Sequence, residues 1–222
     1  MRVLLVHGLG RTPLSMFSLA RSLRAAGYST LLFGYSPTFE PLPRILRRLT
    51  ERLRLLARTR EPVGLVGHSL GGLLLRMAIP NVPDLRVHHL VMLGTPNRPP
   101  RIARFAWRFH PFRWVTRDCG RFLSCTESIL KLAPPSVPYT LIAGTAGPHR
   151  FWGEANDGIV AVSETRILDT DTPLLVPAWH SFIMNHPAVQ RVVLATMMTD
   201  VTPIAHPGES PCQARKTYSA AR

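Results

Sequence analysis

Two apolar runs, Val63-Gly64-Leu65-Val66 and Gly72-Leu73-Leu74-Leu75-Arg76-Met77-Ala78, are separated only by Gly67-His68-Ser69-Leu70-Gly71. The first run fits a buried strand and the second a helix. Five residues must therefore turn a strand into a helix in very little space. A serine at the centre of such a turn has its hydroxyl pushed out above the end of the strand. A Cβ at position 67 or 71 would collide with the neighbouring strand or helix as the chain reverses, so the spacing asks for glycine at both.

The same alternation runs through most of the chain. Strands are expected at Val3–Val6, Ser29–Tyr35, Val63–Gly67, Val87–Leu93, Tyr139–Ala143 and Leu174–Pro177. Helices are expected over Pro13–Ala26, with Leu14, Phe17, Leu19 and Leu23 as its apolar residues, over Pro43–Arg58, from Ser69 to about Pro80, and over Pro187–Thr199. Strands separated by helices imply an α/β class: one mostly parallel sheet of about six strands with helices on both faces. Ligands bind such sheets at the carboxyl ends of the strands. At 222 residues the chain suits one domain, expected over residues 1–200. Residues 201–222, polar and rich in proline, are expected to be a disordered tail.

Arg98–Leu132 interrupts the alternation. It mixes Trp107, Phe109, Phe112, Trp114 and Phe122 with a series of arginines. Such a segment can form a lid over a greasy substrate or meet anionic lipid headgroups. It can equally be a pair of short helices packed on the domain with solvated arginines. The net charge of +14, carried almost wholly by arginine, favours an anionic membrane surface as a partner, or else reflects a composition bias spread over solvated faces. No nucleic-acid-binding module is recognisable, so nucleic acid is not expected as a partner. No segment is long and apolar enough to span a membrane. The start of the chain reads as a strand and not a leader, so the expected location is the cytoplasm, including the periphery of a membrane. Cys119, Cys125 and Cys212 lack metal-type spacing. They are read as free thiols, with a Cys119–Cys125 bridge as the alternative.

A serine hydroxyl is a weak nucleophile unless a base takes its proton and an acid orients the base. In this kind of fold the chain order should be serine, acid, histidine. After Ser69, the best acid is Asp157, in the turn Asn156-Asp157-Gly158 that precedes Ile159-Val160. Asp118, Asp169 and Asp171 are rivals. The best histidine is His180, just after the last strand, with His186 as the runner-up. An oxyanion forming on attack needs backbone donors. The N–H of Leu70 follows the serine at a helix start, and the N–H of Leu9 lies in the loop His7-Gly8-Leu9-Gly10 after the first strand. As a phosphate loop, that segment lacks a complete G-x-G-x-x-G.

Val6-His7-Gly8-Leu9-Gly10, Gly67-His68-Ser69-Leu70-Gly71-Gly72, Leu93-Gly94-Thr95-Pro96-Asn97, Asn156-Asp157-Gly158-Ile159-Val160 and His180-Ser181-Phe182-Ile183-Met184 occur in this order. Together they resemble the α/β-hydrolase superfamily, close to small bacterial lipases and esterases of the triacylglycerol lipase type. The resemblance implies an ester hydrolase in minimal form, without the early strands of larger members. It implies Ser69 as nucleophile, Asp157 as acid, His180 as base, and the Leu9 and Leu70 amides as oxyanion donors. The expected substrate is an ester or lipid, and the expected chemistry needs neither metal nor cofactor. An acyltransferase or thioesterase using the same three residues, or a non-catalytic lipid-surface-binding protein on this fold, is the alternative.

Overall fold

In the computed structural model, residues 1–149 and 153–199 are described; the tail expected over 201–222, with Cys212, lies outside the described residues. Six strands form one all-parallel sheet in the order β2-β1-β3-β4-β5-β6. They are β1 (Arg2–Val6), β2 (Ser29–Phe33), β3 (Val63–His68), β4 (Val87–Leu93), β5 (Tyr139–Gly144) and β6 (Leu174–Val176). Parallel neighbours cannot be joined by tight hairpins, so each connection crosses a face of the sheet. That is why the strands are buried on both sides and read as continuous apolar runs.

Alternation along each strand sends side chains to two separate cores. Leu4, Val6, Leu65, Leu90 and Met92 pack with α2 (Leu42–Ala57) and α3 (Leu70–Ala78). Val3, Leu5, Val66, Val91 and Leu93 pack on the other face with α1 (Phe17–Ala25) and α8 (Pro187–Met198). The helix α2 buries the stripe Ile45, Leu49, Leu53 and Leu56 foreseen for it. The matched register, Val6 beside Phe33 and Gly67, Gly67 beside Met92, and Leu93 beside Ile142, brings the carboxyl ends of the strands to one edge.

The first helix differs from expectation. Pro13–Met16 is a 3-10 turn and α1 starts only at Phe17. Three residues per turn shift the phase of the apolar stripe. Met16 is therefore fully buried, while Leu14, 75% exposed, and Phe17 face outward. The expected strand ends at Tyr35 and Pro177 fall two residues and one residue beyond the observed ends.

The segment expected to interrupt the alternation folds as three helices, α4 (Arg101–Ala106), α5 (His110–Ser124) and α6 (Thr126–Leu130), with a break at Arg117, whose φ is 43°. Its beginning and end are both fastened to the sheet domain. At the beginning, the Arg98 N–H donates to the Glu164 carbonyl (2.9 Å). The Arg101 side chain meets Glu164, in the short helix α7 (Val162–Thr165), and Glu154. At the end, Arg76 in α3 donates to the carbonyls of Leu132 (2.9 Å) and Ala133 (3.0 Å) and to Asn97 Oδ1 (2.8 Å). Cys119 and Cys125 are both free, Cys119 buried and Cys125 exposed. Among the described residues no helix is long and apolar enough to cross a membrane.

Candidate active site

Ser69 links β3 to α3 with φ 52° and ψ −123°, a conformation that costs a non-glycine residue about 1–3 kcal/mol. The turn holds because its surroundings leave no alternative. A Cβ on Gly67 would fall 2.4 Å from Gly72 Cα, and one on Gly71 would fall 2.3 Å from the Val6 carbonyl oxygen. The Ser69 N–H donates to the Leu93 carbonyl (2.9 Å), which ties the turn to β4.

Asp157 lies beyond β5 and is almost wholly buried. Its Oδ1 accepts the N–H groups of Ile159 (3.0 Å) and Val160 (2.7 Å). Its Oδ2 accepts the Nδ1–H of His180 at 2.6 Å. The His180 N–H donates in turn to the Asp157 carbonyl at 2.9 Å. Ring and backbone of the histidine are thus both fixed to one residue. Gly94, φ +52°, passes so close to this pair that a Cβ there would lie 3.0 Å from Asp157 Oδ2 and 3.1 Å from His180 Nδ1.

Two further histidines brace the floor. The Nε2–H of His68 donates to the His180 carbonyl at 3.0 Å. Burial, then the neighbouring His180, hold His68 well below the usual imidazole range, so it stays neutral. His7 stacks on Tyr35 with ring centroids 4.2 Å apart. Its Nδ1–H donates to the Gly8 carbonyl (2.9 Å) and its Nε2 accepts the Tyr35 N–H (3.3 Å), while the Tyr35 hydroxyl donates to the His7 carbonyl (3.0 Å). Burial lowers the pKa of His7 too. The Gly8-Leu9 backbone is fixed by these contacts.

Ser69, His180, His68 and Leu9 line one cavity of about 300 Å³. Its roof is apolar and comes largely from the insertion, including Ile102, Ala103, Phe112 and Leu123, with Ile159 and Val160 beside Asp157. Ser69 Oγ and His180 Nε2 have no hydrogen-bond partner among the described residues, so hydroxyl and ring nitrogen are both free. The N–H groups of Leu9 and Leu70 are likewise without a protein acceptor among the described residues. That of Leu70 is an orphan donor in the first turn of α3. A wider groove of about 780 Å³, between the end of α2 and residues 81–84, lies by the amino ends of β3 and β4 and holds none of the candidate residues.

The rival residues are placed elsewhere. Asp118 is exposed on α5. Asp169 pairs with Arg98. Asp171 accepts the Tyr139 hydroxyl and the N–H groups of Ile167 and Leu168. His186 caps α8, its Nδ1 accepting the Ala188 N–H (3.3 Å). Arg11, Arg76 and Glu164 are not among the residues expected at the site from the sequence. The signals for two of these were present: Arg76 is the one charge in an apolar helix, and Glu164 the one acid in Val160–Thr165.

A comparison of the sequence with curated proteins finds no match. Among solved structures, the chain is similar to the mature lipase BlEst2 of Bacillus licheniformis, with a TM-score of 0.72 at 20% identity over 89% of this chain and 91% of that one. It is also similar to phospholipase PlaB from Legionella pneumophila, with a TM-score of 0.65 at 17% identity over 90% of this chain and 60% of that one. The thioesterase RedJ from the prodiginine biosynthetic pathway of Streptomyces coelicolor gives a TM-score of 0.59 at 16% identity over 87% and 83%. At such identities these likenesses show a shared fold. A model of the alpha/beta hydrolase family matches residues 3–208, and the chain belongs to that family.

Proposed function

We propose that this hydrolase cleaves carboxylic esters through an acyl-enzyme formed on Ser69. The observation that carries the reading is the 2.6 Å bond from His180 to the buried Asp157, with the second ring nitrogen left free in the cavity that Ser69 lines. In this scheme the Ser69 hydroxyl attacks the ester carbonyl as His180 Nε2 takes its proton. Asp157 keeps the ring in the required tautomer and stabilises the imidazolium. The negative charge formed on the carbonyl oxygen is met by the N–H groups of Leu9 and Leu70, donors worth about 2.7–4 kcal/mol each in comparable sites. His180 returns the proton to the leaving alcohol. It then activates a water, which releases the acid and restores Ser69. The absence of a bond between serine and histidine before substrate binds is common in unliganded enzymes.

The apolar roof supports an acyl group as the part of the substrate that is enclosed. The exposed aromatic and arginine side chains of α4 and α5 support an anionic lipid surface as the place where the protein works. A fluorophosphonate probe followed by mass spectrometry tests the nucleophile. Modification of Ser69, together with loss of 4-nitrophenyl ester turnover in Ser69→Ala, is the expected result. Equal turnover by wild type and Ser69→Ala would remove the proposal. The likeness to a thioesterase keeps acyl transfer to or from a thiol as a second reading, which product analysis with competing alcohol, amine and thiol acceptors separates.

A further inference from the structure

Among the described residues, the arginines fixed against the catalytic framework differ in how many acceptors hold them. Arg101 meets two glutamates, and Arg76 meets an amide oxygen and two carbonyls. Arg11, two residues beyond Leu9, lines the cavity with Ser69 and His180. No carboxylate pairs with it among the described residues, and none lines the cavity. Its guanidinium is held in place: one amino group donates to the Ser181 carbonyl (2.9 Å), and the ring of Phe182 lies 5.7 Å away. Its Nε is buried and has no hydrogen-bond partner. The charge is close enough to the chemistry to help keep His68 neutral.

A guanidinium carries five N–H donors in a rigid fork suited to carboxylate and phosphate oxygens. A positioned, half-buried arginine with no carboxylate partner, beside a cavity whose roof is apolar, is therefore a binding group for an anion. We infer that Arg11 selects esters that carry a carboxylate or phosphate within a few bonds of the scissile carbonyl, an inference that rests on the ester-hydrolase reading of the cavity. The anion sits on the acyl side or the alcohol side of the ester. In either place it contacts Arg11 in the bound substrate as well as in the transition state, so its effect falls on KM.

Two pairs of esters test this. The first pair sets mono-4-nitrophenyl adipate against 4-nitrophenyl 6-methylheptanoate, which replaces the terminal carboxylate by an isopropyl group of similar shape. The second sets 1-butyrylglycerol 3-phosphate against 1-butyrylglycerol, with the anion on the alcohol side. In at least one pair, wild type should prefer the anionic ester by between about tenfold and a hundredfold in kcat/KM, as a charge-assisted contact predicts. Arg11→Met should abolish that preference through KM, and Arg11→Lys should restore part of it. Which pair responds assigns the side. Absence of preference in both pairs overturns the inference. So does a preference that survives Arg11→Met, or an equal loss of kcat on charged and neutral esters, which would mark Arg11 as a partner of the oxyanion instead. Calorimetric titration of hexyl phosphate into Ser69→Ala and Ser69→Ala/Arg11→Met reads the contact without turnover. Failure of the hydrolase reading leaves that difference intact, whereas equal heats in the two proteins would sink the role of Arg11 even in an active enzyme.

Discussion

Ser69, Asp157 and His180 stand at the carboxyl ends of β3, β5 and β6, all buried, with backbone or side chain held by bonds to neighbouring strands and loops. Across the cavity, α4 and α5 turn Ala103, Thr116, Cys119 and Leu123 inward but leave Phe105, 58% exposed, and Trp114, 70% exposed, in solvent, with Phe109 half exposed between the two helices. The floor is part of the sheet's own core. The roof adds Ala103, Cys119, Leu123 and Ile129 to the core on one face of the sheet, and polar contacts tie it down at its two ends and where the Thr38 hydroxyl donates to the Val115 carbonyl (2.7 Å). In the proposed reading, the reacting groups sit on the strand ends, where position can be held to a fraction of an ångström, and an added segment would meet the substrate.

The largest effects should come from the floor. Ser69→Ala should lower kcat on a 4-nitrophenyl ester by roughly a millionfold, the size seen when a serine nucleophile is removed elsewhere. Asp157→Asn should lower it about ten-thousandfold, because an amide holds the histidine in the wrong tautomer. Steady-state kinetics beside circular dichroism checks both. If Asp157→Asn retained full turnover, another acid would have to be sought and the floor as described would be wrong.

The fastenings between floor and roof should come next, and their effect is on stability. Glu164→Gln removes the charge that holds the side chain and N–H of Arg101 and the N–H of Ala161. Arg76→Met leaves Asn97 Oδ1 and two carbonyls without their donor. Each should cost about 1–3 kcal/mol in urea unfolding. The guanidinium of Arg76 is already strained by burial, which lowers its pKa to about 10. Mild proteolysis should then cut within residues 98–132 before the sheet domain is attacked. Cleavage elsewhere first would mean that the roof is not the weaker part.

A pH series separates the two regions in a third way. Burial lowers the pKa of His7, His68 and His89 below the ordinary imidazole value of about 6.5, that of His89 to about 4, and all three lie in the sheet or its loops. An unfolded chain would protonate them near 6.5 while the folded one does not. Below that pH the unfolded state binds more protons, so stability should fall as pH drops from 6.5 toward 5, before most carboxylates titrate. Above pH 7.5 these groups add no slope. Urea midpoints against pH test the sign, and a midpoint that rose on acidification would contradict it.

How much of this could be read beforehand follows the same division. The floor was legible because parallel strands buried on two faces leave uninterrupted apolar runs, and because a strand–serine–helix turn tolerates only glycine at 67 and 71. The meeting of Asp157 with His180 followed from chain order and from the expected need for an acid and a base at strand ends. Arg76, Glu164 and Arg11 did not follow. Their meaning lies in partners 56, 63 and 170 residues away, and no local pattern encodes such pairs. Leu14 and Phe17 were misread for a local reason, since proline at 13 favours a 3-10 start that turns the stripe by part of a residue step. In the roof, aromatic and arginine spacing fits both packing and exposure, and only the fold decides which faces inward.

The smallest expected effect bears on what the exposed side of the roof is for. Phe109→Ser with Trp114→Ser removes apolar area that is half or more in water, so folding stability should change by about 1 kcal/mol or less. If these rings served the core instead, truncating them would cost several times more. The same double variant should pellet less with vesicles containing anionic lipid at low salt, because the proposed docking uses the rings for insertion and nearby Arg104, Arg108 and Arg113 for attraction. The arginine share should fade as added salt shortens the range of the charges, while the aromatic share persists. Wild type that fails to pellet with such vesicles at low salt would leave the roof as a cover for the cavity, with its outer face a solvated surface and nothing more.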